Sequence, residues 1–245
     1  MKSIVPLLLA FVISTLGVDL PPEIEACKIS DPNFHKCLIS SAQKAFTVFA
    51  NGNKDLGVPS LDPLHLDVVL VEPQPGSINI DQKYTDVVIE GMSTGVVNDF
   101  MFNLNDCTIW LNHTLKHLKS SANYEIKGQL LLLPVDAKGH LLATSEFFNV
   151  YIKATCEKFK EQDTEYIRVL TSKVKMDARN LQFDFGVLIN GNPQLDNDLH
   201  KVINDNPNDF FEVMRPACEA LWNTAIFKLM NTVFAQIPLH KLFKD

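Results

Sequence analysis

The chain has 245 residues, 46% of them hydrophobic, and a formal net charge of −7. That length and apolar content can build a sizeable core for one large domain or two small ones. The negative charge argues against nucleic acid as a partner and against electrostatic attraction to anionic membrane surfaces.

The N-terminus carries Lys2, an apolar run from Ile4 to Leu16, and small or polar residues at Ser14, Thr15 and Gly17. This is the layout of a secretory signal peptide, with cleavage expected after Gly17, so that residues 18–245 form the mature protein in an extracellular fluid. The apolar run is too short for a membrane span. Export makes disulfides the default for the five cysteines, and the odd count leaves at least one over. Asn112-His113-Thr114 is the one Asn-x-Ser/Thr sequon, which marks Asn112 as a candidate surface glycan site.

Ser30-Asp31-Pro32 supplies a cap and a proline at the first helical position. Phe34, Cys37, Leu38, Ser41, Ala42, Ala45, Val48 and Phe49 then recur at helical spacing up to Asn51-Gly52. Cys27 sits in the extended lead-in and Cys37 in the helix's second turn, so a bridge between them is expected to fold the lead-in back onto the helix.

After Gly57-Val58-Pro59 the periodicity changes to two, giving strands at Leu64 to Val71, Ile78 to Ile89 and Val96 to Leu111. Tyr124 to Leu133 and Leu141 to Cys156 read as a hairpin joined by a polar turn, Pro134 to His140, with Gly139 where positive φ is expected. Tyr124, Ile126, Gly128, Leu130 and Leu132 share one face of the first strand, and Phe148, Val150, Ile152, Ala154 and Cys156 share one face of the second. Tyr166 to Met176 and Leu181 to Ile189 add two strands, and a loop at Asn190 to Pro193 leads to the terminal helix.

That helix is predicted from an Asn206 cap to about Gln236, with a kink or restart at Pro216. Met214, Cys218, Leu221, Trp222, Ile226, Leu229, Met230 and Val233 give it a wide apolar face. The narrow polar stripe of Glu219, Asn223, Lys228, Asn231 and Thr232 interrupts it too often for a transmembrane segment. A helix this apolar has to be wrapped. The expected fold is therefore a single α+β domain in which a long, highly curved antiparallel sheet wraps a long C-terminal helix, with a short disulfide-tied N-terminal helix. A curled sheet around one helix need not fill the space it encloses, so a cavity is expected.

Several stretches in order carry a family resemblance: Cys27-Lys28-Ile29-Ser30-Asp31-Pro32 with Cys37, Leu61-Asp62-Pro63-Leu64, and Tyr124-Glu125-Ile126-Lys127-Gly128 before Leu133-Pro134. Asn190-Gly191-Asn192, Asn204-Asp205-Asn206 and Ile237-Pro238 to Leu242-Phe243 complete the set. Together they resemble the takeout and haemolymph juvenile hormone binding protein family of arthropods, over essentially the whole mature chain. The resemblance implies a tunnel for an elongated apolar ligand such as a juvenile-hormone-like terpenoid, fatty acid or isoprenoid. The candidate wall is Tyr124, Ile126, Leu130, Leu132, Phe148 and Ile152 on the strands, with Trp222, Ile226 and Met230 on the helix. Each of these can equally be plain core, and Tyr124 adds a hydroxyl able to orient a ligand or to make a structural hydrogen bond.

The family is also expected to carry a strand-to-helix bridge, here Cys156 to Cys218, which leaves Cys107 as the free thiol or as a competitor for Cys156. All three remaining reduced is the plain alternative. The polar Asp136 to Gly139 stretch and the extra cysteine depart from the family pattern.

His113 and His117, four apart, would share one side of a helix, yet no Glu follows the first and no third ligand is evident, so no metal site and no cofactor is expected. With no Gly-x-Ser-x-Gly elbow, Gly-rich phosphate loop or His-Glu-x-x-His run, the chain reads as a carrier and not an enzyme. Two other classes stay open: a secreted esterase-type hydrolase of apolar substrates with a scattered triad, and an allergen-like interaction protein with an incidental cavity.

Overall fold

A computed structural model describes residues 17–71, 79–130, 133–189 and 191–245, so the expected signal peptide lies, apart from Gly17, outside the described residues. The elements are β1 (Cys27–Lys28), α1 (Phe34–Val48), β2 (Leu64–Val71), β3 (Asn79–Glu90), a 3-10 turn (Met92–Thr94), β4 (Val96–Asn103) and β5 (Thr108–Leu115). They continue as β6 (Leu118–Leu130), β7 (Leu133–Glu161), β8 (Thr164–Asp184), α2 (Pro193–Asp205), α3 (Pro207–Phe234), α4 (Leu239–Leu242) and β9 (Phe243–Lys244).

The 29-residue β7 is the spine of the main sheet. Along one edge it takes β6 and β5 end to end, with Leu118 opposite Ser145 and Leu115 opposite Phe148. Along the other it takes β8. From β6 the sheet continues through β3 to β2, and from β5 to β4, all antiparallel. Register breaks at Thr85/Val88, Val97/Asp99 and Thr155/Cys156 add local twist to long strands, which helps curl the sheet around α3.

The hairpin differs from expectation. Leu130 faces Leu133, so the pairing runs right up to these two residues and the stretch from Pro134 to His140 is strand and not turn. Its polarity follows the pleat: Asp136 and Lys138 lie opposite Lys127 and Glu125 at 3.6 and 3.0 Å, while Ala137 between them is 1% exposed. Gly139 has no positive φ. It is glycine for space, because a Cβ there would stand 2.8 Å from the Tyr124 hydroxyl oxygen.

Three further boundaries move. The expected strand at Val96 to Leu111 splits into β4 and β5, with Cys107 at φ 50° in the turn. The two strands expected between Tyr166 and Ile189 are one, β8, since buried Met176 and Ala178 keep the alternation going. A helix, α2, stands where only a loop is expected; the Asn192 side chain caps it from Leu195 N at 3.1 Å, and Pro193 follows at the first position. Asn206 is not a side-chain cap for α3, because its amide donates to the Val202 carbonyl at 3.3 Å. The helix runs unbroken across Pro216.

Three residues of the polar stripe of α3, Glu219, Asn223 and Asn231, face β8, while Lys228 is exposed. Glu219 accepts from Met176 N at 3.2 Å and pairs with Lys175 at 2.7 Å, Asn223 accepts from the Ser172 hydroxyl at 2.8 Å, and Arg215 donates to the Met176 carbonyl. Asn231 accepts from Val169 N at 2.9 Å and donates to Val169 O at 3.2 Å. These positions are multiples of four apart. Four helical residues rise about 6 Å and two strand residues about 6.8 Å, so one helix row can keep step with one strand edge. The stripe thus satisfies the edge of β8.

The N-terminal helix is tied as expected, by Cys27–Cys37 with Cα atoms 5.8 Å apart. Gln43 on α1 donates to the Gly95 carbonyl and accepts from Val97 N, latching the helix to β4. β1 pairs in parallel with β9, so the two ends of the described chain meet. The Asp62 carboxylate accepts from Gly91 N at 2.8 Å, Ser93 N at 3.0 Å and the Ser93 hydroxyl. Burial pushes its pKa up, and these hydrogen bonds outweigh that and leave it lowered.

Candidate functional site

Between the sheet and α3 lie two apolar cavities, of about 150 and 230 Å³. The smaller is bounded by Tyr84, Phe148, Phe183, Phe211, Met214 and Leu221, and the larger by Phe46, Phe102, Ile152, Ile226, Met230 and Phe234. The lead-in and α1 wall the far end of the larger one through Leu20, Ile24, Leu38 and Ala45. Leu221, Trp222, Ile226, Leu229, Met230 and Val233 of α3 are only half-buried. Each of these side chains fronts a cavity.

The expected wall residues divide accordingly. Phe148 lines the smaller cavity, Ile152, Ile226 and Met230 the larger, and Trp222 both. Tyr124 and Ile126 border only a void of about 20 Å³ beside Phe185 and Leu188. The Tyr124 hydroxyl is already engaged, lying 2.7 and 3.0 Å from the Phe185 and Val187 carbonyls to which it donates, so the directional role expected of it is spent on the fold. Burial, with Asp196 and Asp184 nearby, pushes its pKa up to about 12, so it stays a donor. Leu132 lies outside the described residues, and of Leu130 only the backbone is described.

The expected Cys156 to Cys218 bridge is replaced by Cys107–Cys156, with Cα atoms 5.0 Å apart, and Cys218 is the free thiol. The reason is distance along α3. Cys156 pairs with Val169, which bonds Asn231. Cys218 lies thirteen residues earlier, roughly 20 Å up the helix axis. There it fronts the smaller cavity, and burial, then the neighbouring Glu219 charge, push its pKa up to about 11.

His113 and His117 are on different elements. His113 points inward from β5, 3% exposed and stacked on Phe46 with ring centroids 4.0 Å apart; His117 is in the turn before β6, at φ 57°. Burial lowers the His113 pKa to about 4, against a weaker opposing hydrogen bond with Gly95. Asn112 lies in mid-strand, half-buried, and not in a surface loop. Among the described residues no group of three or more metal-ligating side chains forms, and no helix is long and apolar enough to cross a membrane.

A single apolar helix held inside a curved antiparallel sheet, with apolar cavities between the two, defines a class of cavity-bearing α+β domain. The model of one family, described as haemolymph juvenile hormone binding protein (JHBP), matches residues 7–244, and the chain belongs to that family. It is 26% identical over 232 residues to the circadian clock-controlled protein daywake of Drosophila melanogaster, covering 91% of this chain and 88% of that protein. The daywake protein of Drosophila yakuba is 25% identical over the same shares. The crystal structure of Epiphyas postvittana Takeout 1 superposes with a TM-score of 0.77 at 22% identity, over 91% of this chain and all of that one, which fixes the fold.

Proposed function

We propose that the protein is a secreted carrier that holds an elongated apolar molecule, of the terpenoid, fatty-acid or isoprenoid kind, against α3 without turning it over. The observation that carries this reading is the row of half-buried apolar side chains on α3, each fronting a cavity. Covering that surface with ligand recovers roughly 25 cal/mol per Å² of apolar area, enough for micromolar affinity after the costs of association. Family membership supports the ligand class, and the N-terminal sequence supports export.

Phe148, Ile152, Trp222, Ile226 and Met230 form the wall in this reading, while Tyr124 and Ile126 support the fold behind it. Binding without turnover is favoured because the hydroxyl of Ser145, one of several bordering the smaller cavity, is bonded to the Phe147 and Arg179 carbonyls, and the Cys218 thiol is held protonated. Titration of the mature protein with fluorescent fatty acids and isoprenoids tests the proposal. Saturable binding with no product is expected. Folded protein that saturates with neither set would end the carrier reading.

A further inference from the structure

The two cavities meet at one side chain. Among the described residues, Trp222 alone lines both. Its indole lies with its ring centroid 5.4 Å from that of Phe148, which projects from β7 on the opposite side. Phe148 in turn meets Phe211 at 6.3 Å, so the aromatic partition runs from helix to sheet. On the helix the change of chamber falls at the same place, with Leu221 bordering the smaller and Ile226 the larger.

Volume decides what each chamber can take alone. An apolar cavity of about 150 Å³ accommodates a molecule the size of benzene, so each chamber by itself fits only a short apolar group. A long-chain acid or an extended isoprenoid lying along α3 has to occupy both, and to do so it must pass the indole. Trp222 has space on its two sides and is only half-buried, so it can swing without disturbing the packed core behind it.

We propose that Trp222 is a ligand-length filter, its indole separating two chambers so that short apolar molecules bind within one and long ones bind only by displacing it. This rests on the carrier reading and adds the residue that sets the preferred length. It also assigns Trp222 the opposite role to the other wall residues: they gain contact with a ligand in place, whereas the indole has to be moved out of the way of a long one.

The test compares octanoate and palmitate binding by titration calorimetry to the folded mature protein and to its Trp222→Ala and Trp222→Leu variants. Removing the partition should raise the palmitate-to-octanoate affinity ratio at least tenfold. A Trp110→Phe background, which removes the exposed tryptophan on the outer face, leaves Trp222 as the sole fluorophore. In it, palmitate should shift the emission more than saturating octanoate does. If Trp222→Ala does not fold, Trp222→Leu carries the comparison, since leucine also opens the passage. An unchanged palmitate-to-octanoate affinity ratio in the folded variants overturns the filter while leaving the carrier reading intact. Failure of the wild-type protein to bind either acid overturns both.

Discussion

The carboxamide of Asn231 on α3 takes both backbone groups of Val169 on β8, accepting its N–H at 2.9 Å and donating to its carbonyl at 3.2 Å. It acts as one rung of a strand that is not there. With Glu219 and Arg215 on Met176 and Asn223 on Ser172, the helix edge replaces a neighbouring strand along β8.

Asn231→Ala should therefore cost roughly 2 kcal/mol, two hydrogen bonds at a part-buried edge. Asn231→Asp should cost more, since it loses the donor and faces a carboxylate with the Val169 carbonyl. Urea unfolding measures both, and hydrogen exchange should show faster opening of the Val169 amide. A loss below about 0.5 kcal/mol for the alanine variant would show the rung to be dispensable.

The two disulfides should differ in weight. Cys27 and Cys37 are 10 residues apart and Cys107 and Cys156 are 49 apart. In the chain-entropy model these loops contribute about 2.8 and about 4 kcal/mol. Paired serine substitutions should lower the melting temperature more for Cys107 with Cys156 than for Cys27 with Cys37. Peptide mapping under non-reducing conditions should recover both pairs and a lone Cys218; a Cys156–Cys218 peptide would contradict the connectivity.

His113 should make the fold acid-sensitive. Its folded pKa of about 4 lies below the ordinary histidine value, so between roughly pH 6.5 and 4 the unfolded chain binds a proton that the folded one does not. Its contribution is whole above that window and is lost as pH falls through it, on the order of 3 kcal/mol by the bottom. His113→Leu should flatten the difference between stabilities measured at pH 7 and pH 4.5. Parallel pH profiles for the two proteins would rule the histidine out.

Cys218 should be slow to label. With a pKa of about 11, its thiolate fraction at pH 8 is ~0.001, and the rate with an aromatic disulfide reagent should climb about tenfold per pH unit. A bound apolar ligand should slow it further, because the thiol fronts the smaller cavity. Labelling at the rate of a free peptide thiol, unaffected by fatty acid, would place Cys218 at the surface instead.

The apolar periods of α1, β2 and β7 were legible because each buries one side only, and the wrapped helix followed from the width of the α3 apolar face. What composition hid was geometry between distant segments. Asp136 and Lys138 look like a turn until their partners Glu125 and Lys127 are known. Glu219, Asn223 and Asn231 look solvent-facing until β8 lies beside them. The helix α2 could have been found from Asn192-Pro193 with Leu199 and Ile203, both buried. Tyr124 reads as a ligand contact as readily as a structural tyrosine because its hydroxyl partners, the Phe185 and Val187 carbonyls, are some sixty residues away. The cavity wall was legible where residues face α3, and less so where a second shell stands behind them.

The parallel pairing of Cys27 and Lys28 with Phe243 and Lys244 has a consequence for biosynthesis. The segment that fills the sheet, α3, and the segment that fastens the lead-in leave the ribosome after every strand of the main sheet. Until they emerge, the nascent strands hold an inward surface of Phe148, Val150 and Ile152 with nothing to cover it. The core therefore closes only once α3 has followed β7, and the stretch of time between the synthesis of β7 and that of β9 is when this chain most needs a chaperone.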